Sequence, residues 1–80
     1  MVEVLKFYTS FCPPCHEVSR QLRGKEMKKI NISKTQELAT KYNVKSVPTL
    51  VFLKDDVEVY RHNGVITTQD YENIILDLKK

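Results

Sequence analysis

The chain's only two cysteines both lie in the stretch Phe11-Cys12-Pro13-Pro14-Cys15-His16, separated by two prolines. An apolar, β-like run from Val2 to Tyr8 leads into it, and a helical pattern from Cys15 to Leu22 leads out. Two thiols on a strand-to-helix turn point first to dithiol–disulfide redox chemistry. The same residues also fit the C-x-x-C-H attachment pattern of a c-type haem, which would make the chain an electron carrier. That reading calls for an export route and usually a distal methionine, and no Met follows Met27. A zinc site needs four ligands, and His16 and His62 lack finger spacing, so no metal site is expected. A module bridging an iron–sulfur cluster has no positive sign in the residues.

Helix geometry gives the two sulfurs different work. From Cys15 the apolar or small residues fall at Cys15, Val18, Ser19 and Leu22, the spacing of one face. Cys15 therefore heads the inward stripe and is expected to be shielded. Cys12 stands where the helix begins, just before Pro13, and is expected to be held exposed. Proline suits a first turn, where amides lack intrahelical partners. The Cys12 sulfur then meets the positive end of the helix dipole and the free amides, Cys15 N–H among them. A helix terminus contributes roughly 0.3–1 kcal/mol, up to ~2 when partly buried. At about 1.4 kcal/mol per pKa unit, that moves a thiol from ~8.5 toward ~7, where about half is thiolate at neutral pH. Cys12 is thus the expected nucleophile, and Cys15 resolves the mixed disulfide.

Eighty residues allow one domain, 1–80, and no second core. With 41% hydrophobic and 29% charged residues, the composition is that of a soluble globule. In so small a domain a structural disulfide helps most by closing a long loop. By the chain-entropy estimate the Cys12–Cys15 loop yields ~2 kcal/mol, against ~4.5 for a bridge spanning the chain. The pair is poorly placed as a staple and well placed as a switch. Net charge is +3, with Lys25, Lys28, Lys29, Lys34, Lys41, Lys45, Lys79 and Lys80 scattered as solvated surface, so nucleic acid is not an expected partner. Met1-Val2-Glu3-Val4-Leu5-Lys6 has no cationic segment followed by an apolar one, and no apolar run is long enough to span a membrane. The expected setting is a reducing cytoplasm, where a paired C-x-x-C is catalytic more often than structural.

The elements that position the pair follow in order. Val2 to Tyr8 suits a central strand. The first helix is predicted from about Pro13 to Arg23, ending at Gly24. Lys28 to Ile32 alternates as a second strand. Ser33-Lys34-Thr35-Gln36 has the form of a capping box opening a short helix, with Leu38, Ala39 and Tyr42 inward and Asn43 ending it. Thr49 to Leu53 is a strand beginning after Pro48. Lys54-Asp55-Asp56 is turn-like, and Val57 to Tyr60 alternates as the returning strand, which Gly64 breaks. Thr67-Thr68-Gln69-Asp70 starts a last helix with the stripe Tyr71, Ile74, Ile75 and Leu78. The order is β-α-β-α-β-β-α. The first two strands, joined by a helical crossover, should be parallel and the hairpin antiparallel. The result is a four-stranded mixed sheet with helices on both faces.

This order, with a C-x-x-C after the first strand, resembles the thioredoxin superfamily in its smallest, glutaredoxin-sized form. Lys29-Ile30-Asn31-Ile32 looks like the thioredoxin strand "KLNID", and Lys41 through Leu50 looks like "KYGIRGIPTL". The Pro48-to-Gly64 spacing is similar as well. The resemblance implies a minimal thioredoxin-like α/β fold and a cis peptide between Val47 and Pro48, packed against the cysteines. It implies that the Val47 backbone pairs with an extended substrate segment as an added strand, and that Gly64 admits a partner backbone. With Phe11, Pro13 and Pro14 these residues would form the substrate-binding rim. It further implies disulfide-containing protein substrates, a monomer, no bound cofactor, and an external reductant: NADPH through a thioredoxin-reductase-type flavoprotein, or glutathione.

Three departures stand out. Phe11 replaces the usual tryptophan before the first cysteine. Lys6 replaces the usual buried aspartate six residues before it. Lys6 ordinarily reads as a lysine whose ammonium reaches out to solvent; the sharper reading has Lys6 or Lys29 tuning a cysteine pKa or relaying protons, with His16 a further candidate. Pro13 is similar to the "CPYC" of glutaredoxins and Pro14 to the "CGPC" of thioredoxins. Yet Asn63-Gly64-Val65-Ile66-Thr67 lacks the Gly-Gly-x-x-Asp segment with which glutaredoxins hold glutathione, so the glutathione-dependent activity stands as the alternative.

Overall fold

The N-terminal run forms a central strand because its alternating side chains bury on both faces. A computed structural model describes residues 2–79; Met1 and Lys80, which enter the reading of the N-terminus and of the scattered lysines, lie outside the described residues. The elements are β1 (Val2–Tyr8), α1 (Pro13–Gln21), β2 (Lys28–Asn31), α2 (Gln36–Lys41), β3 (Thr49–Lys54), β4 (Val57–Asn63) and α3 (Thr68–Leu78). They stand in the expected β-α-β-α-β-β-α order and make one sheet, β2-β1-β3-β4. β1 pairs with β2 in parallel, from Leu5↔Lys28 to Tyr8↔Asn31, and with β3 antiparallel, from Val2↔Lys54 to Phe7↔Thr49.

Alternation splits the core in two. Val4, Leu50 and Phe52 pack with Val18 and Leu22 at α1 and with Ile66 and Tyr71 at α3. Leu5, Phe7, Ile30, Val51 and Leu53 face the other way and are covered by Leu38, Tyr42 and Val44 around α2. The stripe expected on α3 lies where it should: Tyr71 is buried, and Ile74, Ile75 and Leu78 pack against the first cluster. Thr67 caps α3, its hydroxyl accepting the Asp70 N–H at 3.1 Å.

The turns carry their own chemistry. Asp55 and Asp56 take φ of 53° and 67°, the left-handed pair of a tight two-residue hairpin, which aspartate tolerates better than most residues. Asn43, φ 54°, ends the α2 segment as expected. Some details differ from the sequence reading, among them β2 ending at Asn31 and β4 running on to Asn63. α1 ends at Gln21, with Leu22 already off helical geometry (φ −106°, ψ 23°); the Gln21 carbonyl accepts the Thr68 hydroxyl, which ties this end to α3. The Ser33–Gln36 box does not form: Asn31 Oδ1 accepts the Ser33 N–H at 3.0 Å in a turn, and the helix starts only at Gln36. In β4 the pairing passes from Phe52↔Tyr60 to Leu53↔Glu58, so Val59 is an extra residue and its strand bulges. Val57 and Val59 are accordingly exposed on the edge strand.

Candidate functional site

The strand-to-helix turn is built so that one sulfur receives the first available amide. Pro13 and Pro14 occupy the first two helical positions and have no N–H to satisfy. The first free donor is Cys15 N, and it donates to Cys12 Sγ at 3.1 Å. Cys12 is the N-cap, extended at φ −138°, ψ 97°, and its carbonyl accepts the His16 N–H at 3.1 Å, the first bond of the helix. No acidic side chain stands in the first turn to compete for the positive helix end. Cys12 and Cys15 are joined as a disulfide with Cα atoms 5.1 Å apart, inside the usual range.

The contrast in exposure expected between the cysteines is absent in this oxidised form. Cys15 is 3% exposed as foreseen, but Cys12 is only 7% exposed. The bridge and the Cys15 amide draw the Cys12 side chain onto the helix end and away from solvent. The flanking residues project outward: Phe11 is 98% exposed, and Pro13 and Pro14 are exposed too.

Strand register brings Val47, Pro48 and Gly64 to the same end of the sheet as the cysteine turn. The Phe7↔Thr49 pair sets the start of β3 beside the end of β1, from which the chain enters the cysteine turn. The Thr49↔Asn63 pair puts Gly64 next to that start. The Val47–Pro48 peptide is cis; Pro48 is buried and Val47 half-buried. Gly64 takes φ 90°, a conformation that favours glycine, and its N–H donates to the Pro48 carbonyl at 2.8 Å. The Thr49 hydroxyl lies 2.7 Å from the Ser46 carbonyl and 3.0 Å from the Asn63 side-chain amide, fixing the approach to the cis bond.

Lys6 does not reach solvent. It is 3% exposed, on the α1 side of β1, with Nζ donating to Ser19 Oγ and standing 5.4 Å from the centre of the Tyr8 ring. Lys29 is its register partner on β2. Burial first, and the Lys29 charge second, lower the Lys6 pKa from its ordinary 10.5. A cleft of about 320 Å³ between β1, β2 and α1 is lined by Lys6, Lys29, Cys15, His16 and Ser19 among others. Lys6, Lys29 and His16 thus share one cleft with the inner cysteine. His16 is exposed, as expected, with Nε2 3.3 Å from the Ser10 carbonyl. His62 lies within β4, its Nε2 3.1 Å from the Val65 carbonyl. Sequence reasoning sets Ser19 on the helix stripe but gives it no part in the site; its place one helical turn after Cys15, opposite a lysine on an inward strand position, is the signal for its contact with Lys6. Among the described residues, no group of three or more His, Cys, Asp or Glu lies together to hold a metal ion. No described helix is long and apolar enough to cross a membrane.

Known proteins are similar to this chain in sequence and fold. The family model described as Thioredoxin matches residues 2–77. An H-type thioredoxin of rice, Oryza sativa subsp. indica, is 30% identical over 82 residues, covering 94% of this chain and 66% of that protein. Thioredoxin-1 of Drosophila melanogaster is 36% identical over 61 residues, 66% of this chain and 57% of that protein. The chain thus spans less than two thirds of the length of these curated relatives. Among solved structures, thioredoxin-2 of the malaria parasite superposes with a TM-score of 0.88 at 28% identity, over 96% of this chain and 82% of that one. A mutant thioredoxin from Halobacterium salinarum gives 0.86 at 28% identity, over 99% and 75%.

Proposed function

Because the chain belongs to the thioredoxin family, we propose that it is a thiol–disulfide oxidoreductase that reduces protein disulfides through its own Cys12–Cys15 pair. The observation that carries this reading is the Cys15 N–H held on Cys12 Sγ at the start of α1. In the reduced protein the same amide and helix end favour the Cys12 thiolate over the thiol, and the thiolate is the attacking species.

The exchange runs in two steps. The Cys12 thiolate attacks one sulfur of the substrate disulfide, making a mixed disulfide and expelling a substrate thiolate. Cys15, three residues on and already within bridging distance, loses its proton and attacks Cys12 Sγ. The second substrate thiolate leaves, and the domain is oxidised as in this structure. Two electrons pass to the substrate, and the chemistry calls for no bound cofactor. Phe11, Pro13 and Pro14 form one lip for the substrate. Val47, before the cis bond, offers its backbone to an extended segment, and Gly64 leaves room beside it, with no atom beyond its own chain neighbours within 4 Å of where a Cβ would stand.

The electron donor in this reading is a thioredoxin-reductase-type flavoprotein fed by NADPH, and the protein works as a monomer in a reducing compartment. Two features support that donor: the relatives are thioredoxins, and the segment Asn63-Gly64-Val65-Ile66-Thr67 has one glycine and no acid, unlike the glutathione-holding Gly-Gly-x-x-Asp. Insulin reduction, driven in parallel by NADPH with thioredoxin reductase and by glutathione with glutathione reductase, tests it. Turnover with the first system is expected. Turnover with glutathione alone overturns the donor, and none with either overturns the activity.

A further inference from the structure

We propose that Lys6 is a positioning residue that holds the cleft behind the disulfide cationic, so that the Cys15 thiol ionises readily and the dithiol form is favoured over the disulfide. This deepens the dithiol chemistry proposed above and rests on it. The argument starts from geometry. Lys6 is buried in the central strand with a hydroxyl, Ser19 Oγ, as hydrogen-bond acceptor and an aromatic face beside it, and it lines one cleft with Cys15. A buried ammonium without a carboxylate partner is uncommon, since an isolated buried charge is costly.

The groups facing Lys6 come from each element around it. From its own strand there is Tyr8, from β2 Lys29, and from α1 Cys15 and His16. The adjoining cleft on the other side of Ser19 brings Arg20, Arg23 and Lys25. None of these is a carboxylate. Arg20 is engaged with Glu17, and Lys25 with Glu72, on the outer surface. Among the described residues lining the cleft, the group that readily supplies a negative charge to Lys6 near neutral pH is therefore the Cys15 thiolate. The coupling is reciprocal: the ammonium lowers the thiol pKa, and the thiolate raises the lysine pKa that burial and Lys29 depress.

The redox consequence follows from balance. Reduction of the disulfide adds two electrons and yields two sulfurs, each thiol or thiolate; the second proton is taken up only if Cys15 stays protonated. A cation that stabilises the Cys15 thiolate has no counterpart to stabilise in the neutral disulfide. It therefore favours the reduced form and makes the pair a weaker reductant at pH values above the lowered thiol pKa.

The test uses the full chain and needs no protein substrate, so its failure is distinct from failure of the disulfide-reductase reading. Thiolate absorbance is followed against pH in the reduced wild type, Lys6→Met, Lys6→Gln and Lys6→Arg, and each is equilibrated with glutathione redox buffers. The neutral variants are expected to raise the inner thiol pKa by about one unit or more. At a pH above both values, the dithiol–disulfide equilibrium moves about tenfold toward disulfide for each such unit, about 30 mV more negative. Lys6→Arg restores both. Superimposable titrations for wild type and the neutral variants overturn the proposal, as does Lys6→Arg behaving like Lys6→Met. Met and Gln together keep the test open should either one fold poorly.

Discussion

Replacing Lys6 by Met should make the oxidised protein more stable, and the gain should depend on pH. Lys6 is 3% exposed in the strand at the centre of the sheet, and Met has a similar length without the charge. Removing a buried ammonium relieves a desolvation cost of several kcal/mol. Against that, the hydrogen bond to Ser19 Oγ is lost, about 1.5–3 kcal/mol for a charged donor. The contact with the Tyr8 ring goes too, about 0.5–1 kcal/mol. The balance is a gain of about 1–2 kcal/mol, and each kcal/mol moves the melting temperature of a domain this size by about 4–8 °C. The sign with pH is fixed. Burial, then Lys29, depress the Lys6 pKa below its ordinary 10.5. Between the depressed value and 10.5 the unfolded chain binds more protons than the folded one, so wild-type stability rises with pH across that window. Below the window the full penalty is present. Lys6→Met lacks both the penalty and the slope, so the two proteins converge as the pH climbs. Urea denaturation of the disulfide forms, followed by circular dichroism at neutral and alkaline pH, reads this without interference from thiol titration. A less stable variant, or a difference that ignores pH, would refute the reasoning.

Other substitutions test other links. Phe52→Ala removes a fully buried ring that meets Tyr60 and Tyr71 at 5.7 and 5.9 Å; a loss of about 3–5 kcal/mol is expected in denaturant titration, close to the whole stability of many small domains. Phe11→Ala alters a side chain 98% exposed, so the melting temperature should hold while KM for protein disulfides rises. Gly64→Ala forces a Cβ onto φ 90°, at roughly 1–2 kcal/mol; Gly64→Asn should cost less in the same melt, because asparagine tolerates left-handed backbone.

Much of this was legible because the signals are local. Two cysteines flanking two prolines fix a helix start and leave Cys15 N–H as its first donor, and Asp55-Asp56 can be read as a turn from side-chain chemistry. The order of strands and helices follows from hydrophobic period. What sequence reading lost depends on partners far along the chain. The end of α1 at Gln21 is tied to Thr68, 47 residues later, whose hydroxyl donates to the Gln21 carbonyl. The bulge at Val59 is visible only against the pairing of β3. Sequence reading expects Cys12 to be held exposed, but in the disulfide form its side chain is folded in, and Phe11, Pro13 and Pro14 are the exposed groups beside it. Lys6 was ordinarily read as reaching solvent, and only the placement of Ser19 and Tyr8 around Nζ shows why it stays inside.

The division of labour between the sulfurs is tested most directly by intact-mass spectrometry of Cys12→Ser and Cys15→Ser, each reduced and then mixed with a disulfide-bridged peptide. Cys15→Ser is predicted to accumulate a covalent adduct through Cys12, since attack proceeds and resolution cannot. Cys12→Ser is predicted to stay unmodified. An adduct on Cys15 forming as fast as the one on Cys12 would contradict the assignment.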